Sequence, residues 1–136
     1  MNVRKETRPS RSLLAWLALA ASIAAALDGC GQASGYEPRY TVRGGDADRG
    51  RAAIRNYGCG ACHVVPGIRD AQGTVGPPLT AWGRRTYIAG QVPNTPDFLV
   101  RWLEAPQAIE PGTAMPNLGV TAKDARDIAA YLYTIR

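Results

Sequence analysis

Histidine is almost missing from this chain of 136 residues, which has one, His63, beside three cysteines, two methionines and one phenylalanine. Each scarcity excludes something. A structural zinc site needs four ligands, usually in two spaced Cys or His pairs, and only Cys59, Cys62, His63 and the distant Cys30 are present. No second histidine exists to act as an acid–base catalyst. The longest apolar or small-residue run, residues 13–27, is fifteen residues long, short of the roughly 20 that cross a bilayer as a helix. No basic stripe is interleaved with aromatics, so nothing points to nucleic acid as a partner. Aromatics are 7% of the chain, little with which to build a core from protein alone.

What is present centres on Cys59-Gly60-Ala61-Cys62-His63. Cys-x-x-Cys-His is the spacing of covalent haem attachment: two thiols three positions apart add across two vinyl groups on one porphyrin edge, and the adjacent imidazole meets the iron. The reading is one haem c, covalent through Cys59 and Cys62, with His63 on the metal. Thioredoxin-type chemistry also uses Cys-x-x-Cys, but at the opening of a helix that follows a strand. No strand-like apolar run precedes Cys59. A haem would also supply the large apolar body that the composition lacks.

The formal charge of +5 is concentrated at the front. Arg4, Lys5, Arg8 and Arg11 precede the apolar run; from Cys30 onward twelve basic side chains face nine acidic ones, a formal +3. A basic start, an apolar run and an abrupt Asp28 make an export signal over 1–29. Leu27-Asp28-Gly29-Cys30 resembles a bacterial lipoprotein box, with cleavage before Cys30 and lipid on its thiol, although Asp28 replaces the usual small or apolar residue. An ordinary cleaved signal, cut near Ala33, and an uncleaved short anchor are the alternatives. Arg8 and Arg11 are not adjacent, which argues against a twin-arginine signal. Residues 30–44, with scattered Gly, Pro and Ser, read as a flexible tether. The expectation is an exported protein held on the periplasmic side of a membrane through Cys30.

Residues 45–136 form the folded domain. Ala47, Gly50, Ile54 and Tyr57 recur at helical spacing after Asp46. Turn residues between Val64 and Val75 make a loop, and Gly76-Pro77-Pro78-Leu79 an extended stretch. Thr95-Pro96 opens a helix whose apolar face is Phe98, Leu99, Trp102 and Leu103, ended by Pro106. Thr121 to Asp124 opens the last helix, with Ala125, Ile128, Ala129, Leu132 and Ile135 as its stripe. Beyond the signal, Met115 is the one methionine, so a second protein ligand to iron is most simply its thioether. It lies in an irregular segment, Pro111-Gly112-Thr113-Ala114-Met115-Pro116. The bland reading of a lone methionine is a core filler.

Cys59 to His63, Gly76-Pro77 and Pro111-Gly112-Thr113-x-Met115 before a terminal helix together resemble the class I cytochromes c, over residues 45–136. The resemblance implies an all-α fold of short helices and irregular loops wrapped around one covalent haem, with the first and last helices crossing. It implies that Gly50 lets the ring of Tyr131 approach, that the Pro77 carbonyl accepts the His63 imidazole proton, that Arg84 neutralises a propionate, and that Trp102 lines the Met115 side of the haem. Arg84-Arg85, Ala89-Gly90, Pro93-Asn94-Thr95-Pro96, Arg101-Trp102, Pro106-Gln107 and Met115-Pro116 look like the cytochrome domain fused to subunit II of bacterial haem–copper oxidases. That implies a carrier of single electrons between a redox donor and acceptor, with a terminal oxidase as one candidate acceptor. The competing readings are a haem enzyme or gas sensor with a labile distal ligand, an electron-transfer subunit of a dehydrogenase complex, and a thiol–disulfide protein. Trp82 and Tyr131 are expected to pack, and Arg85 to face solvent.

Overall fold

A computed structural model describes residues 39–136. The export signal, Cys30 and most of the expected tether lie outside the described residues. Within them, no helix is long and apolar enough to cross a membrane.

The first helix, α1 (Ala47–Asn56), starts where Asp46 accepts the backbone N–H of Arg49 at 2.8 Å. This satisfies one of the donors a helix start leaves open. A 3₁₀ turn at Cys59–Ala61 follows, and a second at Trp82–Arg84. α2 (Pro96–Glu104) has Pro96 in its first turn; Thr95 occupies the cap position, but its side chain makes no capping bond. Pro106 does end α2, and it also starts a single turn, α3 (Pro106–Ile109). The last helix, α4 (Ala122–Thr134), opens as the sequence predicts: the Thr121 hydroxyl accepts the Asp124 N–H at 3.1 Å and donates to its carboxylate at 2.9 Å.

The fold is mostly helical but not wholly so. Tyr87–Ile88 and Val92–Pro93 form a small antiparallel hairpin. Its turn places Ala89 at φ 50° and Gly90 at φ 72°, the mirror-image turn that matches strand twist. Alanine rarely takes that conformation, so residue type gave no warning of the turn.

The core runs from Ile54 on α1 through Leu99, Trp102 and Leu103 on α2 to Ala125, Ile128, Ala129 and Leu132 on α4, as the apolar stripes require. α1 and α4 cross backbone to backbone at Gly50. A Cβ there would overlap the Asp127 carbonyl oxygen and sit 2.5 Å from its carbon. The glycine therefore accommodates first of all the main chain at Asp127 and Ile128; Tyr131 donates its hydroxyl to the Pro66 carbonyl at 2.7 Å. The helix crossing places Tyr131 one turn beyond the contact.

Asp127 is the least expected core residue, with no solvent exposure. Its carboxylate accepts Arg49 Nε and Nη2 at 2.8 and 2.9 Å, the Asp46 N–H at 2.8 Å and Lys123 Nζ at 2.8 Å. The Arg49 bonds hold its pKa well below the usual carboxylate range; burial opposes this, and Lys123 and the Asp46 N–H reinforce it. Tyr57 adds a further tie between the helices, donating to Asp124 at 2.9 Å.

Candidate functional site

α1 delivers the chain to Cys59 through Tyr57 and Gly58. The 3₁₀ turn then stacks the motif on itself, the N–H groups of Cys62 and His63 both reaching the Cys59 carbonyl, at 3.2 and 3.0 Å. The following loop wraps around it: Gly73 N–H bonds the Gly60 carbonyl at 3.0 Å, Gly76 N–H the Cys62 carbonyl at 2.8 Å, and Leu79 N–H the Val64 carbonyl at 2.8 Å. Five residues of motif are thus clamped by some fifteen residues of irregular chain, whose backbone groups pair partly with the motif and partly with one another.

That loop returns Pro77 to His63. His63 Nδ1 lies 2.6 Å from the Pro77 carbonyl oxygen. A carbonyl can only accept, so Nδ1 is the donor, and in the neutral ring this leaves the lone pair on Nε2. This is the tautomer a metal-binding imidazole requires, with its orientation fixed from behind. Gly76 lies flat against the ring: a Cβ there would be 2.7 Å from Nδ1 and 2.9 Å from Nε2. Any larger residue would displace the imidazole.

The two thiols, Cys59 and Cys62, are free and half-buried. Burial raises the Cys59 thiol pKa, against a lowering by its own backbone, and the neighbouring Cys62 raises it further. A thiol–disulfide catalyst needs the reverse, a thiolate stabilised at neutral pH. The pair also lies in a 3₁₀ turn that follows a helix rather than a strand. Among the described residues, no three His, Cys, Asp or Glu side chains gather to hold a metal ion.

Met115 sits in the loop between α3 and α4, half-buried against the same core that Cys59 borders. Its carbonyl accepts Gln107 Nε2 at 2.7 Å, and its N–H reaches the Thr113 hydroxyl at 3.2 Å. Glu110 adds two bonds, from Gly112 N–H to its side chain and from Thr113 N–H to its carbonyl. The loop is irregular yet held at both ends. Trp102 is buried on α2, in the core against which Met115 packs.

The two adjacent arginines differ in their surroundings. Arg84 is exposed. Arg85, expected in solvent, turns inward: its guanidinium lies 5.2 Å from the Trp82 ring centre and donates to the carbonyls of Pro78 and Thr80, next to the loop that orients His63. Partial burial lowers its pKa from the ordinary guanidinium value. Asn94 fixes this segment from the other side, donating to the carbonyls of Trp82 and Arg85 at 3.1 Å each while accepting the Tyr133 hydroxyl at 2.9 Å.

Trp82 is 6% exposed, as a packing residue should be, but its indole Nε1–H is buried with no partner. A buried donor without an acceptor costs about 1–3 kcal/mol, so native structures rarely keep one. A bound group carrying an acceptor would satisfy it. The family resemblance marked Arg84 alone for a propionate; nothing in composition marked Trp82 or Asn94. The residues therefore fit a haem: two unpaired thiols, an imidazole presented through Nε2, a half-buried thioether and an indole donor awaiting an acceptor.

Comparison with known proteins agrees. A cytochrome c family profile matches residues 47–136. The chain is similar to cytochrome c oxidase subunit 2 of Alkalihalophilus pseudofirmus, at 32% identity over 101 residues, covering 74% of this chain and 28% of that one. It is also similar to the subunit 2 proteins of Bacillus sp. strain PS3, at 37% over 65 residues (46% and 18%), and of Bacillus subtilis, at 29% over 89 residues (64% and 25%). The match thus spans about a quarter or less of each relative's own length. No solved structure matches at the same stringency. A Cys-x-x-Cys-His turn clamped by its own loop, an imidazole oriented through a proline carbonyl and a profile match across the described helices make one conclusion: this chain belongs to the cytochrome c family, related to cytochrome c oxidase subunit 2.

Proposed function

We propose that this protein is a monohaem electron carrier with His/Met-ligated iron, held at a membrane by its N-terminal segment and passing single electrons toward a terminal oxidase. Cys59 and Cys62 would hold one haem c, His63 and Met115 would ligate its iron, and the haem would supply a one-electron couple between ferric and ferrous states.

The observation that carries this reading is the His63–Pro77 pair, because it fixes the tautomer and the direction of Nε2. The other residues take complementary roles. Met115, on a loop tied by Gln107 and Thr113, favours the reduced state as a thioether ligand. The indole N–H of Trp82 offers a donor to a propionate, and Arg84 and Arg85 moderate its charge. Trp102 keeps water from the Met115 side. A lipid on Cys30 would confine the carrier near membrane partners and raise its effective concentration. Likeness to oxidase subunit 2 supports a haem–copper oxidase as acceptor.

The test is co-expression with a haem-attachment system, followed by a spectrum after denaturation and a redox titration. Haem that stays on the denatured chain, one per polypeptide and titrating as a single one-electron couple, supports the proposal. A chain without covalent haem overturns it in favour of thiol chemistry.

A further inference from the structure

A second feature lies away from the haem-binding residues and shares none of them. Val42, Arg43, Pro96, Asp97, Val100, Arg101 and Arg126 line an open groove of about 280 Å³. Its walls are three arginines against a single carboxylate, and Val42 and Val100 give it an apolar floor. Among the described residues Arg43 and Arg126 make no side-chain hydrogen bond or ion pair, and Arg101 contacts only the Phe98 ring, at 5.6 Å. By contrast Arg49, Arg51 and Arg85 are each committed to a carboxylate or carbonyl.

We propose that this groove seats anionic phospholipid headgroups, so that the domain rests on the membrane surface by this face. The inference rests on the tethered reading given above. Three unengaged guanidinium groups match phosphate oxygens in charge and in fork geometry. The apolar floor suits the glycerol and upper acyl region and the arginine stems. The chain's course selects a membrane over an acidic protein: Val42 on the floor is twelve residues from Cys30. A lipid there could therefore lie no more than about 40 Å of extended chain from the groove. A headgroup surface is always within reach, whereas a protein partner must diffuse in. Each arginine near an anionic surface strengthens attachment about fivefold.

The test uses full-length holoprotein mixed with vesicles of phosphatidylcholine, alone or with phosphatidylglycerol. Amide hydrogen exchange is followed over residues 40–45 and 96–104. Phosphatidylglycerol should slow exchange there several-fold. High salt should abolish the effect, as should R43Q, R101Q and R126Q combined, with the haem spectrum unchanged. Equal exchange on both vesicles overturns the proposal. So does protection that appears only when an acidic redox protein is added, which would make the groove a protein-docking surface. The salt arm stands even if the triple variant folds poorly. The mass of the Cys30 peptide is read on the same sample: no lipid there defeats the tethered reading, while the vesicle comparison still decides the groove.

Discussion

The α1–α4 crossing and the loops that carry His63 and Met115 are built on opposite plans. The crossing is made of regular helices whose backbones touch at Gly50 and whose charges are satisfied within the protein, around Asp127. The loops have almost no regular structure and are held by scattered bonds, backbone to backbone around the Cys59–His63 motif and side chain to carbonyl at Pro77, Met115 and Pro78. One polar atom among them, the Trp82 indole N–H, is left without a partner. The frame is complete by itself, and the loops are complete only around something they bind. Substitutions in the frame should therefore lower the stability of the apo and holo forms alike. Those in the loops should spare the apoprotein and change what the haem does.

The largest effect should come from G50A. The new methyl has only main chain to meet, so neither helix can yield by rotating a side chain, and overpacking of this kind costs about 3 kcal/mol or more. Thermal unfolding of apo and holo protein should show the loss in both. D127N comes next, at about 3 kcal/mol, because Arg49 and Lys123 lose a buried partner. It also carries a pH signature. The folded state depresses the Asp127 pKa, so its contribution is full above the ordinary carboxylate value near 4 and is lost as pH falls below it. Urea titrations below pH 4 should show wild type losing stability on acidification more steeply than D127N. If the two curves stay parallel, the carboxylate is not the tie described here.

N94A should cost about 2 kcal/mol, since it leaves the Tyr133 hydroxyl and the Arg85 carbonyl unpaired and takes one of two donors from the Trp82 carbonyl. It sits at the junction of frame and loops, so it sharpens the comparison: the apoprotein should weaken and the haem environment should shift too. The smallest stability effect is expected from M115A. A half-buried methionine on a loop held through its backbone should cost the apoprotein under about 1 kcal/mol.

The same division explains what could be read from residues alone. α1, α2 and α4 were visible in their apolar spacing and caps, because helix periodicity is local and so is capping chemistry. Cys59 to His63 was visible because attachment chemistry imposes a spacing on neighbouring residues. The main-chain partner of Gly50 was not: a glycine marks a close approach, but only the crossing geometry brings the Asp127 backbone against it. Asp127 itself hid beside Ile128, since nothing in the pattern says that Arg49 and Lys123 will meet it inside. The inward turn of Arg85 depends on carbonyls at Pro78 and Thr80 that only the folded loop brings near. The Ala89-Gly90 turn adopts a conformation that alanine disfavours.

In the proposed ligation the iron is held between His63 and Met115, leaving no open position. Adding carbon monoxide to the reduced holoprotein at neutral pH tests it most directly. The account predicts an unchanged spectrum for wild type and a carbon monoxide adduct for M115A. Ready binding by wild type, with M115A behaving the same, would contradict it.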